Sequence, residues 1–135
     1  MYFQRLIALG WVIIACPSFA AAGTQYIALA IGKSNHLGAG LGWYQSSRES
    51  AEADALASCR QSIPDGDCKI VLSGANTCIS LHLGIDGSTW GAAMRSTRTE
   101  AQLDSLADCG GSEKCYILNS WCIEQPEPPG RSISE

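Results

Sequence analysis

The feature that most constrains this chain is an internal repeat with a spacing of fifty residues. The segment from Ser47 to Cys59 aligns without a gap with the segment from Thr97 to Cys109. An Arg, three apolar residues, an Asp and a Cys recur at equivalent positions of the two segments. Self-similarity at such a period is the signature of one supersecondary unit used more than once. The sequence therefore predicts a fold built from two copies of the same unit.

Each copy reads as strand, strand, helix, strand. The first helix begins at a hydroxyl cap, Ser46 or Ser47, and the second begins at Thr97, with Glu100 three residues later as in a capping box. Gly110 and the glycine after it predict the end of the second helix. The i, i+3, i+4 spacing predicts the inner stripes of the helices, Ala53, Leu56 and Ala57 in one and Leu103, Leu106 and Ala107 in the other.

Strands are predicted over residues 26–31, 38–44, 68–73, 78–83, 89–94 and 114–123. In the fourth, Ile79 and Leu81 alternate with Ser80 and His82, so one face is expected to be buried and the other more polar. Residues 74–76 predict a hairpin turn between the third and fourth strands. The expected fold class is α+β: two ββαβ-like repeats forming an antiparallel sheet of about six strands, with two helices packed on one face and disulfides stabilising the whole.

The cysteine count indicates a disulfide framework. Of seven cysteines, Cys16 lies in the leader and six remain, an even number of the kind found in small exported domains. In each copy one cysteine ends the helix and another opens the next strand. This arrangement favours the pairs Cys59–Cys68 and Cys109–Cys115 and leaves Cys78–Cys122 to join the two halves.

Residues 1–22 are predicted to be a signal peptide. Arg5 supplies the positive end, an apolar run follows, and small residues close the segment at Ala22. Cleavage after Ala20 or Ala22 would release the protein into the periplasm or the medium. The residues before Cys16 also resemble a lipobox, and only lipidation of that cysteine would place the protein on a membrane. Release is favoured, because Ile13 stands where lipoboxes usually have Leu and Pro17 is unusual after the modified cysteine.

The organisation of the remaining chain follows from its composition. Residues 23–123 are expected to form one domain with two repeats. Residues 124–135 contain several prolines and no apolar periodicity, so we expect a disordered tail.

These residues resemble a family of secreted bacterial proteins catalogued as domain of unknown function 4189. The resemblance runs from Tyr26 to Cys122. It depends on the Gly and Trp elements before each helix, on the Ser-Arg-x-x-Ala-Glu-x-x-Ala helix start near Ser47 and its counterpart near Thr97, and on the cysteines after each helix. The second copy departs from the pattern with Gln102, where the first has Glu. The resemblance implies export and a compact repeat domain, and it transfers no catalytic residues.

Nothing in the sequence predicts catalysis, a metal site or a cofactor. The histidines are His36 and His82; a triad of His82 with Ser80 and Asp86 is conceivable, but a surface histidine beside ordinary polar residues is the expected reading. Cys78-x-x-x-His82 is half a metal site without a second half, and the glycines of residues 38–42 lack the Lys-Ser/Thr of a P-loop. Nine Lys and Arg are scattered among thirteen Asp and Glu, which excludes a nucleic-acid footprint.

The aromatic residues are the remaining candidates for a binding surface. Trp43, Tyr44, Trp90 and Trp121 are of the types that anchor interfaces. Trp43 and Trp90 are expected at equivalent repeat positions in the core, and Tyr44 is the better surface candidate. The expected function is a non-catalytic envelope protein that binds another protein, in concrete form an inhibitor or immunity protein against a toxin or hydrolase. The alternative is a structural or cell-wall module that binds the glycan of peptidoglycan.

Overall fold

The computed structural model describes residues 23–123; the predicted signal peptide and the predicted tail lie outside the described residues. The secondary structure follows the predicted order strand, strand, helix, strand, twice, which confirms the α+β class and the repeat. The elements are β1 (Tyr26–Lys33), β2 (Leu37–Gln45), α1 (Arg48–Ser62), β3 (Lys69–Ala75), β4 (Cys78–Gly84), β5 (Trp90–Arg95), α2 (Arg98–Cys109) and β6 (Cys115–Cys122).

The six strands are divided between two antiparallel sheets of three, with the orders β2-β1-β3 and β5-β4-β6. Ile27 and Leu29 of β1 pack against Ile79 and Leu81 of β4, so the sheets lie face to face. The strands therefore do not form the single sheet that was expected. Residues 74–76 connect the two sheets and are not a hairpin turn within one. The physical reason is that β1 and β4 are buried on both faces, which requires a cover on each side.

The helices cover the two outer faces of this sandwich, one on each sheet, and not one face of a common sheet. Helix α1 packs on β1 and β2, and α2 packs on β4 and β5. The layers are therefore helix, sheet, sheet, helix, and each repeat forms one half of the molecule.

The helices use their smallest residues to contact the sheets. The buried positions are spaced four apart, Ala51, Ala55 and Cys59 in α1 and Ala101, Ser105 and Cys109 in α2. The predicted inner stripes were wrong at four of their six positions, since Leu103 is 62% exposed and the alanines at 53, 57 and 107 are exposed too. Leu56 and Leu106 are half-buried. Glycines on the edge strands explain the difference: a Cβ at Gly40 would overlap the backbone of α1, and one at Gly91 would overlap that of α2. At such a close approach only small side chains fit between helix and sheet.

The predicted helix ends are observed. Ser47 Oγ accepts a hydrogen bond from Ser50 N at 3.1 Å, and Thr97 Oγ1 accepts one from Glu100 N at 3.3 Å. Gly110 ends α2 with φ of 124°, a value that favours glycine.

Within residues 23–123 there are three disulfides, and they join the predicted pairs. Cys59–Cys68 and Cys109–Cys115 each tie a helix end to the following strand. Cys78–Cys122 links β4 to β6 across 44 residues of chain. Cys59–Cys68 lies in the first repeat and the other two bonds lie in the second. The long bond therefore closes the second half and does not join the two halves as expected.

Candidate functional site

The structure brings together two of the four aromatic residues that the sequence nominated. Trp43 and Tyr44 are adjacent and exposed, at 40% and 48% of their surface. Trp90 and Trp121 are half-buried and pack against the apolar cluster between the sheets. Of these four residues, only Trp43 and Tyr44 are therefore exposed.

Trp43 and Trp90 are not equivalent positions, contrary to the expectation. The strand registers place Gly40 opposite Ala30 and Gly91 opposite His82. Trp90, one residue before Gly91, therefore matches residue 39, whereas Trp43 matches residue 94. Aligning the two repeats on their Gly and Trp residues therefore gave the wrong equivalences. The pairing of β2 with β1 and of β5 with β4 gives the correct ones.

We call Trp43 and Tyr44 the aromatic ledge. Their ring centroids are 4.8 Å apart and their planes differ by 28°, an offset stack of the kind that aromatic pairs prefer. The register between β1 and β2 shifts at this point, between Gly42 and Gln45, and Tyr44 has φ of 54°. A bulky residue in the left-handed region is strained and persists only where its surroundings impose it.

The surroundings of the ledge supply that constraint. Gln45 Nε2 donates to the carbonyl of Trp43 at 3.3 Å, and Ser50 Oγ in the first turn of α1 donates to Gln45 Oε1 at 2.9 Å. The main chain of the ledge is thus tied to the start of α1. These bonds and the ring stack restrain the conformation of the ledge.

The two repeated arginines, Arg48 and Arg98, have structural roles beside the site. Arg48 donates to the carbonyl of Ser73 on β3 at 2.8 Å, and its guanidinium lies 5.9 Å from the Tyr26 ring centroid. Arg98 donates to the carbonyl of Ser120 on β6 at 2.6 Å. Each arginine therefore satisfies a carbonyl on a strand at the edge of its sheet, which protects that edge from pairing with another chain.

His82 is buried, which corrects the expectation of a surface histidine. It is 5% exposed and lies beneath α2, where its Nδ1 is hydrogen-bonded to Ser105 Oγ at 2.7 Å. The polar face of β4 was read correctly from its alternation, but α2 covers it. Burial lowers the pKa of His82 below its ordinary value of 6.5, because the charged form loses hydration.

A chain of hydrogen bonds extends from His82 through the second repeat; we call it the buried polar network. Ser105 Oγ lies 3.0 Å from Ser80 Oγ, Ser80 Oγ lies 3.2 Å from Ser120 Oγ, and Gln102 Nε2 donates to Ser120 Oγ at 2.8 Å. Its three serines are at most 6% exposed. The network fixes α2 on its sheet by side-chain bonds as well as by packing.

The first repeat has alanines at three of the five corresponding places. When the strand pairings of β1 and β4 are superimposed, Ala28 is equivalent to Ser80 and Ala30 is equivalent to His82. The fifty-residue offset between the helices makes Ala55 equivalent to Ser105. The alanines form the apolar contact between α1 and β1. The network is therefore specific to the second repeat, and the comparison of the two copies was the sequence signal that could have identified it.

The network does not form an accessible catalytic site in this conformation. Ser105, the serine bonded to His82, has no exposed surface. The proposed third member of a triad, Asp86, instead accepts from Ser88 N at 2.9 Å, from Thr89 N at 3.0 Å and from Thr89 Oγ1 at 2.7 Å. These bonds, that of the Ser88 backbone first, lower the pKa of Asp86 to about 2. Asp86 thus stabilises the β4–β5 turn as a carboxylate.

Two further observations concern the described residues. Within 23–123 no three His, Cys, Asp or Glu side chains are grouped so that they could hold a metal ion. No helix in the same range combines the length and apolarity needed to cross a bilayer.

Comparison with known proteins gives a family and no close relative. No curated protein and no solved structure matches the chain. Residues 26–122 match the family described as "Domain of unknown function (DUF4189)", which is the span over which the repeat, the cysteines and the helix starts were recognised. Because the match covers most of the sequence, the chain belongs to the DUF4189 family.

Proposed function

We propose that this chain is a non-catalytic exported binding protein that acts by occluding another protein. In its concrete form it is an inhibitor or immunity protein that neutralises a toxin or hydrolase in the bacterial envelope. The observation that carries the proposal is the aromatic ledge, two stacked and exposed rings on a strained segment that hydrogen bonds tie to the start of α1.

The ledge has the properties of an interface anchor. Trp and Tyr dominate the residues whose truncation costs binding energy, and they lose little conformational entropy when they bind. Here the stack between the rings and the bonds of Gln45 to Trp43 and Ser50 remove freedom before any partner arrives. Such preorganisation lowers the cost of association.

The rest of the architecture supports occlusion better than turnover. Three disulfides cross-link a domain of about one hundred residues, which gives a rigid body suited to blocking a surface. The buried polar network contains the Ser and His types that hydrolases use, but its serines are inaccessible. Export follows from the predicted signal peptide and agrees with the disulfides.

Affinity capture from a cell-envelope extract tests the proposal. The bait is the oxidised domain from Gly23 onward, and the retained proteins are identified by mass spectrometry. We expect one abundant protein partner, retained by wild type and lost with Tyr44→Ala and with Trp43→Ala. Ile85→Ala is the matched control, because Ile85 is 71% exposed on the β4–β5 turn and lies outside the ledge. Retention that is the same for all four proteins would contradict the role of the ledge.

The second candidate function is a cell-wall module that binds glycan through the same ledge. The exposed rings favour it, since an aromatic face that the stack leaves free can pack on the apolar face of a sugar. Co-sedimentation with purified peptidoglycan separates the candidates. Sedimentation that Tyr44→Ala abolishes, together with no captured protein, would replace the inhibitor proposal with this one.

A further inference from the structure

A second surface with the character of a ligand site lies at one end of the sandwich, away from the aromatic ledge. It is an open cavity of about 630 Å³ between the ends of the two sheets, within the range of small-molecule sites. Its floor is apolar and consists of Ile31, Leu37, Val71 and Trp90. Ile31 is buried and the other three are half-buried, so the cavity opens onto the apolar core between the sheets.

Two lysines stand at the rim of this cavity. Lys33 follows Ile31 by two residues on β1 and therefore points to the same face of the strand. Lys69 is the cross-strand partner of Ile31 on β3, which places it on that face as well. The face that is apolar along the core thus ends in two cationic side chains.

The charge at the rim is positive. Asp67 is the single acidic residue that lines the cavity, and its carboxylate lies 3.3 Å from the Lys69 ammonium. Within residues 23–123, no carboxylate lies within 4.0 Å of the Lys33 ammonium. The chain as a whole carries a net charge of −4, so the charge of this rim is opposite in sign to that of the whole chain.

We propose that this cavity binds an amphiphile with one apolar chain and an anionic headgroup. The chain lies on the floor against Trp90, and the headgroup lies at the rim beside Lys33. A second cleft of about 310 Å³ shares Ile31 and Leu37 with the cavity and extends to Leu118, which gives a longer chain room to continue. A cationic headgroup is repelled by the rim, and a neutral one gains nothing from Lys33.

Titration of the ¹⁵N-labelled oxidised domain by NMR tests this site. The probes are dodecanoate, dodecanol and dodecyltrimethylammonium, which share a twelve-carbon chain and differ in headgroup charge, each below its micelle concentration. We expect dodecanoate to shift the Trp90 indole and the amides near Ile31 and Leu37, and to bind more tightly than dodecanol. Dodecyltrimethylammonium is expected to bind most weakly. Equal binding of all three, shifts centred elsewhere, or no shifts at all would overturn the proposal.

A charge substitution tests the role of the rim. Lys33 is exposed, so Lys33→Ala is expected to weaken dodecanoate binding about two- to fivefold, the range for exposed ion pairs, and Lys33→Glu to weaken it further. Neither change should alter dodecanol binding. Lys114→Glu is the matched control, since Lys114 does not line the cavity. If Lys114→Glu lowered the affinity for dodecanoate as much as Lys33→Glu does, the loss would be due to the change in net charge of the whole protein. That result would overturn the assignment of Lys33 as the residue that binds the headgroup.

Discussion

The two repeats place a serine at the same position of their last strands, and the same substitution should have opposite effects there. Ser73 lies opposite Ala28 on β1, and Ser120 lies opposite Ser80 on β4. The backbone carbonyl of each serine accepts a hydrogen bond from the repeated arginine at the start of the helix in its own repeat. The Oγ of Ser73 is buried and has no hydrogen-bond partner within residues 23–123, whereas that of Ser120 is part of the buried polar network.

The magnitudes follow from these contacts. Ser73→Ala removes a hydroxyl that has lost water without gaining a partner, so the free energy of unfolding should stay the same or rise by up to about 1 kcal/mol. Ser120→Ala removes the acceptor of Gln102 and a partner of Ser80. Ser80 keeps its bond to Ser105, so the cost falls in the lower part of the range of about 1–3 kcal/mol.

Equilibrium denaturant unfolding of the two oxidised variants measures this difference. A difference of about 1 kcal/mol corresponds to roughly 4–8 °C in Tm for a domain of this size, so thermal melts provide a second readout. The serines lie on different sheets, and the double variant should show the sum of the single effects. Equal effects of the two substitutions, or a larger loss with Ser73→Ala, would refute the assignment of the network as a stabilising element.

Three further predictions concern pH, disulfides and packing. Burial lowers the pKa of His82 below 6.5, so its contribution to the free energy of unfolding should be full above about pH 6.5 and fall as the pH drops through the lowered pKa. Unfolding curves from pH 8 to 4 should show this pH dependence in wild type and with the control His36→Asn. With His82→Asn the pH dependence should be weaker. Replacing both cysteines of Cys78–Cys122 with alanine should cost about 4 kcal/mol and replacing those of Cys109–Cys115 about 2.2 kcal/mol, because the first closes the longer loop. Equal losses in denaturant unfolding would contradict the loop argument. Gly40→Ala should lower Tm by more than about 8 °C, because its Cβ would overlap the α1 backbone, and an unchanged Tm would show that the helix can move away.

The local structure was predictable from the sequence because short-range rules determine it. The hydroxyl caps, Gly110 and the pairing of each helix-end cysteine with the next strand all depend on residues close together in the chain. Duplication strengthened these predictions, since Arg48 and Arg98 start equivalent helices and make equivalent bonds. The order of elements followed from the same local signals.

The packing of the layers was harder to predict, because it depends on which face of each element meets which neighbour. The i, i+3, i+4 spacing placed Leu103 inside, but the close approach at Gly91 leaves room only for small residues. The unbroken apolar run Ile27–Ile31 was a signal that β1 needs a cover on both faces, and it pointed to two sheets. The sheet error came from treating the two repeats as parts of one sheet, and the helix error came from leaving out the close approach between helix and sheet.

The candidate site was predictable only in part. Tyr44 was nominated as a surface residue, and the structure exposes it beside Trp43. The exposure of Trp43 results from the register shift between β1 and β2, which no spacing rule in the sequence reveals. His82 was placed on the correct face of β4, but its burial required knowledge of where α2 lies.

The measurement that tests the central claim most directly is the dissociation constant of the captured partner for wild type and for the Trp43→Ala/Tyr44→Ala variant, by isothermal titration calorimetry. Anchor residues of this type contribute at least about 2 kcal/mol to binding, so the account predicts a dissociation constant raised by roughly thirtyfold or more. The variant must keep the melting behaviour of the wild-type domain. A change of less than about threefold in the folded variant would contradict the claim that the aromatic ledge is the binding anchor.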